Sequence, residues 1–376
     1  MGIFHVPVEI ELNAMNHVTP YRNPIIAGQW VTRIRQTSRK KIRLMEVCGT
    51  HTTSIFRGGI RSLLPETVSL ISGPGCPVCV TDQRDIDAFV ELAGMKDVIV
   101  TTFGDLMRVP GSHSSLLEER AKGSDIRVVY SPLDALAIAR EHPSKRIVFL
   151  GVGFETTAPT IAATLAIARQ QELQNFFIYS AHKRVPPALM ALMTLPGIRL
   201  DGFMLPGHVS VIIGAGAYRP LVIRHKIPAV IAGFEPTDIL QAIAMLVAQI
   251  ESNNACLENA YPRVVSEAGN PKALQLLSEV FKTVDASWRG LGVIAGSGLK
   301  LQKAYESFDA EKAFDLAMSE AFEPTGCACG EILTGRKNPS DCPLFRKACT
   351  PEHPIGPCMV STEGTCAAYY RYDVEG

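Results

Sequence analysis

Eight short apolar runs recur between residues 42 and 231, each followed by a Gly- or Ser-rich turn and then a helical stretch. They occupy 42–47, 68–71, 98–102, 128–130, 147–150, 176–179, 203–205 and 229–231. Runs this short, rich in Val and Ile and without polar alternation, suit strands buried on both faces. The stretches between them, such as 82–93, 133–140, 157–170 and 187–193, are long enough for the crossover helices that parallel strands need. The rhythm therefore predicts an α/β chain. A polar turn at Glu141-His142-Pro143-Ser144 divides the runs into four and four. The expectation is two doubly wound parallel-sheet lobes facing a cleft, residues 41–143 and 144–236, with a single barrel as the alternative. Residues 1–40, mixed and polar with a basic run (Arg33, Arg35, Arg39, Lys40, Lys41), read as an N-terminal arm or a helix packing on the rest of the chain.

The texture changes after 235. Thr237 can cap an amphipathic helix over 238–251, and further helical stretches occur at 271–283 and 310–321, separated by a Gly-rich segment at 290–298. From 323 the chain is rich in Cys, Pro and Gly, a composition that needs a metal or disulfides to fold. Residues 237–376 are thus expected to form a helical, Cys-rich domain.

Lys+Arg and Asp+Glu are both 37, so no net field draws the chain to nucleic acid or to an anionic membrane. The first thirty residues lack the basic, apolar and small-residue regions of a signal peptide. The longest apolar runs fall far short of the ~20 residues of a membrane helix. The expectation is a cytoplasmic protein. In that compartment cysteines serve metals or catalysis more often than structural disulfides.

Nine of the ten cysteines form two groups: Cys48, Cys76 and Cys79 early, and Cys327, Cys329, Cys342, Cys349, Cys358 and Cys366 at the end. Ligands of open α/β sheets bind outside the carboxyl ends of the strands. The predicted strand ends carry Cys48-Gly49-Thr50-His51, Gly73-Pro74-Gly75-Cys76-Pro77-Val78-Cys79, Gly153-Phe154-Glu155-Thr156-Thr157, Ser180-Ala181-His182-Lys183 and Pro206-Gly207-His208. The Cys76/Cys79 spacing is that of a redox motif at a helix start, where orphan N–H groups favour a thiolate; half of a zinc site is the plainer reading. Cys48 is a candidate thiolate ligand or nucleophile, or simply a buried cysteine. Glu155 can serve as a base, a metal or hydrogen-bonding partner or a helix N-terminal charge, and His182 and His208 as metal ligands, proton carriers or simply partners of loop carbonyls. Lys183-Arg184 makes a positively charged turn suited to an anion. The terminal array, C-x-C-x12-C-x6-C-x8-C-x7-C, lacks the paired CxxC knuckles of zinc ribbons. Four of its six thiolates can hold a [4Fe–4S] cluster and leave two as a dithiol, with a structural zinc site as the alternative. Cys256 reads as packing.

Together with Thr102-Phe103-Gly104-Asp105, Ala158-Pro159 and Val209-Ser210, these motifs closely resemble, in order from about residue 41 to 372, the HypD family of [NiFe]-hydrogenase maturation factors. The resemblance implies a scaffold on which the Fe(CN)2CO group is assembled in complex with HypC, with cyanide supplied by HypE from a carbamoyl group attached by HypF. It implies that Cys48 holds that iron together with a HypC cysteine, and that Cys76 and Cys79 form a thiol/disulfide pair beside it. It further implies that Cys327, Cys342, Cys349 and Cys366 hold a [4Fe–4S] cluster, with Cys329 and Cys358 as a second redox pair. The arrangement is similar to ferredoxin–thioredoxin reductase, and a general disulfide reductase of that type is the competing function. Glu155, His51 and His208 are expected to orient ligands or carry protons. Whether such a chain turns over as an enzyme is left open by the resemblance.

Overall fold

In the structure, a computed structural model that describes residues 19–316 and 321–373, seven of the eight apolar runs form strands, and the run at 128–130 shares only Val128 with an eighth strand. They are β1 (Ile42–Glu46), β2 (Val68–Ser72), β3 (Val98–Thr102), β4 (Ile126–Val128), β5 (Arg146–Gly151), β6 (Phe176–Ser180), β7 (Gly202–Pro206) and β8 (Ala229–Ala232). A short ninth, β9 (Leu257–Asn259), joins them. The expected crossover helices are present as Gln83–Gly94, Pro132–Glu141, Ala158–Gln170 and Val185–Leu192. The strands form two parallel sheets, one ordered β2-β1-β7-β8-β9 and the other β4-β3-β5-β6. A single barrel is thereby ruled out.

The expected division at 141–144 is not the one the strands follow. β3 pairs with β5 (Val98↔Arg146 to Thr101↔Phe149), and β1 pairs with β7 (Leu44↔Gly202 to Glu46↔Met204). The chain begins the first sheet, builds the whole of the second from β3 to β6, and then returns to complete the first. Strands buried on both faces carry no mark of their partner, so a polar turn was a poor guide to where one sheet ends. The nesting creates one reversal of strand order in each sheet, between β1 and β7 and between β3 and β5. Such reversals open the crevices where α/β sheets bind ligands.

Local departures have local causes. β4 ends at Val128 rather than Tyr130, because Ser131 caps the next helix and leaves Tyr130 exposed. The helix Pro236–Glu251 starts at Glu235, whose N–H donates to Asp238, whereas the Thr237 hydroxyl donates to the Tyr21 carbonyl. The stretches 271–283 and 290–298 contain an antiparallel hairpin, β10 (Phe281–Trp288) and β11 (Gly292–Leu301), that comes after the shorter helix Pro271–Val280. Its glycines, with Gly290, Gly292 and Gly296 at positive φ, broke the alternation that marks a strand. The helix expected at 310–321 is the single turn Ala310–Ala313, and 317–320 lie outside the described residues. Residues 1–18 of the expected arm at 1–40 also lie outside; its described part holds the short turn Thr19–Arg22 and the helix Pro24–Thr37, which buries Val31 and Ile34.

The Cys-rich segment does not stand apart. Its helix Thr365–Tyr372 lies against Gly49–Arg57, the Tyr369 ring meeting Phe56 edge-on at 4.7 Å, and the turn Pro357–Val360 packs on Pro77–Val80. Among the described residues no helix is long and apolar enough to cross a membrane.

Candidate functional site

Cys48 lies just past the end of β1 and caps the helix Gly49–Arg57, at the strand reversal of the first sheet. Beside it is a cavity of about 210 Å³ whose lining comes from both sheets and from the tail. Cys48 and Thr50 follow β1, Gly75 and Pro77 follow β2, Phe154, Thr156 and Thr157 follow β5, His208 follows β7, and Glu363 comes from the Cys-rich segment. The loop after β2 lies directly on the loop after β1: Gly73 N–H donates to the Glu46 carbonyl at 2.8 Å and Gly49 N–H to the Gly75 carbonyl at 3.1 Å. A Cβ on Gly75 would stand 2.3 Å from the Cys48 nitrogen, so only glycine permits this approach. The contact brings the backbone just before Cys76 against Cys48. Cys76 and Cys79 are joined as a disulfide, both buried, and the Cys79 sulfur lies 4.0 Å from the Pro357 carbonyl oxygen.

Burial pushes the Cys48 thiol up to about 12, and the negative charge of Glu363 adds to the effect. Glu363 accepts the Thr50 hydroxyl at 2.7 Å and sits on Gly49. No local signal in Ser361-Thr362-Glu363-Gly364 pointed to this residue, because its place depends on how the tail docks. Glu46, also missed, is buried under Cys48 and raised to about 7, chiefly by burial; it accepts the Thr52 hydroxyl at 2.7 Å. An inward polar residue at the end of a buried strand was the available clue.

The other predicted site residues are distributed unevenly. His208 lines the cavity and stacks on Phe234 at 3.9 Å, and partial burial lowers its pKa. His51 stacks on the same ring at 4.6 Å, but it is fully buried, hydrogen-bonded through Nε2 to the Gly233 carbonyl at 2.9 Å and held down to about 4 by burial. His182 lies away from Cys48, with Nδ1 at 2.9 Å from the Ser180 hydroxyl. Glu155 faces away from the cavity that its neighbours line: both carboxylate oxygens accept the Val185 N–H, at 3.0 and 3.2 Å, at the start of the helix Val185–Leu192.

Burial raises Glu155 from 4.5 to about 7. Folding therefore takes up a proton here between those values, and this group's contribution to stability is full below pH 4.5 and declines as pH rises to about 7. Glu155→Gln keeps an acceptor for Val185 and removes the decline. Relative to the parent, the variant is expected to gain stability across that range, by at most about 3 kcal/mol, in urea unfolding measured at a series of pH values. An unchanged pH profile would show that Glu155 stays ionised in the folded protein.

All six terminal cysteines line one pocket, walled by Ile332, Leu344, Phe345 and Met359. The sulfurs of Cys329 and Cys358 are 2.6 Å apart, and Ile355 N–H donates to the Cys349 sulfur at 3.3 Å. Cys329 is the thiol held low, by donation from Cys327 and Cys358 and by the nearby Arg289. Among the described residues no group of three or more His, Cys, Asp or Glu converges as a single-ion site. Six thiols around an apolar pocket are instead a donor set that fits a polynuclear iron–sulfur cluster, whose irons each need one thiolate.

The family model described as "HypD: Hydrogenase formation hypA family" matches residues 26–373. The chain belongs to the HypD family. Its curated relatives include the "Hydrogenase maturation factor HypD" of Escherichia coli (strain K12), 46% identical over 95% of this chain and 98% of that protein. Those of Rhodobacter capsulatus and Azotobacter vinelandii are 45% and 44% identical, each over 95% of this chain and over 98% and 97% of their own. The HypD resemblance read from the motifs is thus borne out over nearly the whole chain. Within this HypD-family fold, the two cysteine groups that sequence separates by some 250 residues meet at Cys79 and Pro357-Cys358.

Proposed function

We propose that this chain is a scaffold and redox protein of [NiFe]-hydrogenase maturation. Working in the cytoplasm with HypC, it holds the iron on which the Fe(CN)2CO group is assembled while cyanide arrives from HypE. The observation that carries this reading is the buried Cys48 thiol at a small cavity, with the loop that leads into the Cys76–Cys79 disulfide packed on its backbone. The iron is cargo: Cys48 supplies one thiolate and the partner's cysteine another. His208, Thr50 and Thr156 line the cavity as hydrogen-bonding groups, and the buried walls keep bulk water from the bound ligands. His51 and Glu155, both buried in hydrogen bonds of their own, hold the surrounding loops in position.

A [4Fe–4S] cluster on Cys327, Cys342, Cys349 and Cys366 would supply single electrons to this site. The close approach of the Cys329 and Cys358 sulfurs supports their reading as a second redox pair. As a dithiol, that pair can pass two electrons and two protons to the Cys76–Cys79 disulfide by thiolate attack, and is left oxidised itself. The short path from Cys358 through Pro357 to Cys79 also favours a second reading, a disulfide reductase of the ferredoxin–thioredoxin type. A reductase has no use for Cys48.

Anaerobically purified protein in complex with HypC is expected to contain about four irons and four sulfides per chain beyond the cargo iron. Its infrared spectrum should carry cyanide and carbon monoxide bands. Zinc without sulfide would sink the electron-transfer part, and disulfide-reductase activity without infrared bands would favour the second reading.

A further inference from the structure

The hairpin of β10 and β11 touches both cysteine groups through its turn. Trp288 forms an antiparallel bridge with Thr81, and Arg289 N–H donates to the Val80 carbonyl at 2.9 Å, just past Cys79. Gly290, at φ 77°, meets Gly330, the neighbour of Cys329. A Cβ on Gly290 would lie 2.4 Å from the Gly330 Cα, and one on Gly330 would lie 2.9 Å from the Gly290 Cα. Two facing glycines thus let the turn close onto the wall of the six-cysteine pocket.

Arg289, in that turn, is a buried cation without a buried counter-charge. Its side chain is 2% exposed. One terminal nitrogen donates to the neutral Gln83 side chain at 2.9 Å, and the other lies 3.6 Å from a carboxylate oxygen of Glu323, a side chain 60% exposed. Its Nε has no partner among the described residues. A guanidinium taken out of water needs negative charge nearby to offset its lost hydration. The charge of Arg289 acts on Cys329, a member of the cysteine pocket. The lining of that pocket is thiol, apolar side chain and glycine, with no charged residue of its own. Arg289 stands outside the lining and is the buried cation next to it.

Four thiolates around an iron–sulfur core carry net negative charge, and each electron that enters adds one more; net charge is among the properties that set the potential of such a centre. We propose that Arg289 is a positioning residue for electron storage: its fixed positive charge, set beside Cys329 by the Gly290–Gly330 contact, holds the negative charge that the cysteine pocket gains on reduction and so raises the reduction potential. The inference rests on the cluster proposed above and adds to it the group that balances its charge. Arginine suits the place because it stays protonated where a buried lysine can lose its charge.

Anaerobic titration of the full chain with dithionite and redox mediators, read by the electron paramagnetic resonance of the reduced cluster, tests this. Arg289→Gln should lower the midpoint, so that the ratio of reduced to oxidised cluster at a fixed ambient potential falls at least tenfold, or ~59 mV for one electron. Arg289→Lys, which keeps a positive charge, should stay closer to the parent than to Arg289→Gln. Iron and sulfide analysis accompanies each variant. Should Arg289→Gln fail to fold or lose its cluster, Gln83→Glu decides: it leaves Arg289 in place, gives the guanidinium a carboxylate partner and should lower the midpoint in the same direction. A midpoint unmoved in the deciding variant, or moved as far in Arg289→Lys as in Arg289→Gln, would overturn the proposal and leave the cluster standing. A parent without iron and sulfide would remove the cluster itself, and this inference with it.

Discussion

Cys48→Ala is expected to abolish hydrogenase maturation while the protein stays folded. In a strain that lacks its own copy, the variant should restore no hydrogenase activity, and its complex with HypC should lose the cyanide and carbon monoxide infrared bands. The change removes one sulfur at the edge of an existing cavity, so the cost to stability is on the order of 1 kcal/mol. On the proposed function, activity depends on that atom more than the fold does. Burial and the charge of Glu363 keep the thiol protonated, so iron must displace the proton as it binds, and no other thiol lines the cavity to substitute. The terminal pocket is untouched by the change, so iron and sulfide content beyond the cargo iron should match the parent. Retained maturation by the variant would refute the assignment of Cys48.

Gly75→Ala is expected to be the most damaging single methyl group in this region. The added Cβ would lie 2.3 Å from the Cys48 nitrogen, 2.5 Å from its Cα and 2.5 Å from the Val47 carbonyl carbon. All three are backbone atoms, so no side chain can rotate away, and the two loops must separate. A loss of about 3 kcal/mol or more is expected in urea unfolding, with failure to load iron even where the protein folds. Gly94→Ala is the control. Nothing lies within 4 Å of the Cβ it would add, and the expected change is neutral or stabilising by about 0.4–1 kcal/mol. Equal effects of the two changes would show that the loop after β2 does not hold Cys48 in place.

Much of this was legible in the chain because strand ends in parallel sheets concentrate chemistry. Short apolar runs located seven of the eight strands, and the early cysteines, His208 and the glycines of the second loop fell at strand ends. What remained hidden was pairing. β1 finds β7 across more than 150 residues, and no feature of either strand encodes that choice. The same holds for Glu363, whose importance arises from the docking of the tail on Gly49. Of the roles the sequence left open for Glu155, the structure favours the hydrogen-bonding one at a helix N-terminus: both oxygens accept one backbone N–H. The hairpin of β10 and β11 went unseen because glycines that ease its bends also erase its alternation.

The nesting of one sheet inside the other also orders events during synthesis. The second sheet is built from consecutive strands and can form from local contacts, while β1 and β2 emerge early as a pair too small to be stable alone. They must wait for β7 and β8, and the cavity wall waits longer still, for Glu363, which is made after every strand of both sheets. A ribosome-bound or truncated chain therefore presents its early cysteines without the pocket that disciplines them. On the proposed function, the iron site is therefore complete only once the Cys-rich segment has been made and docked.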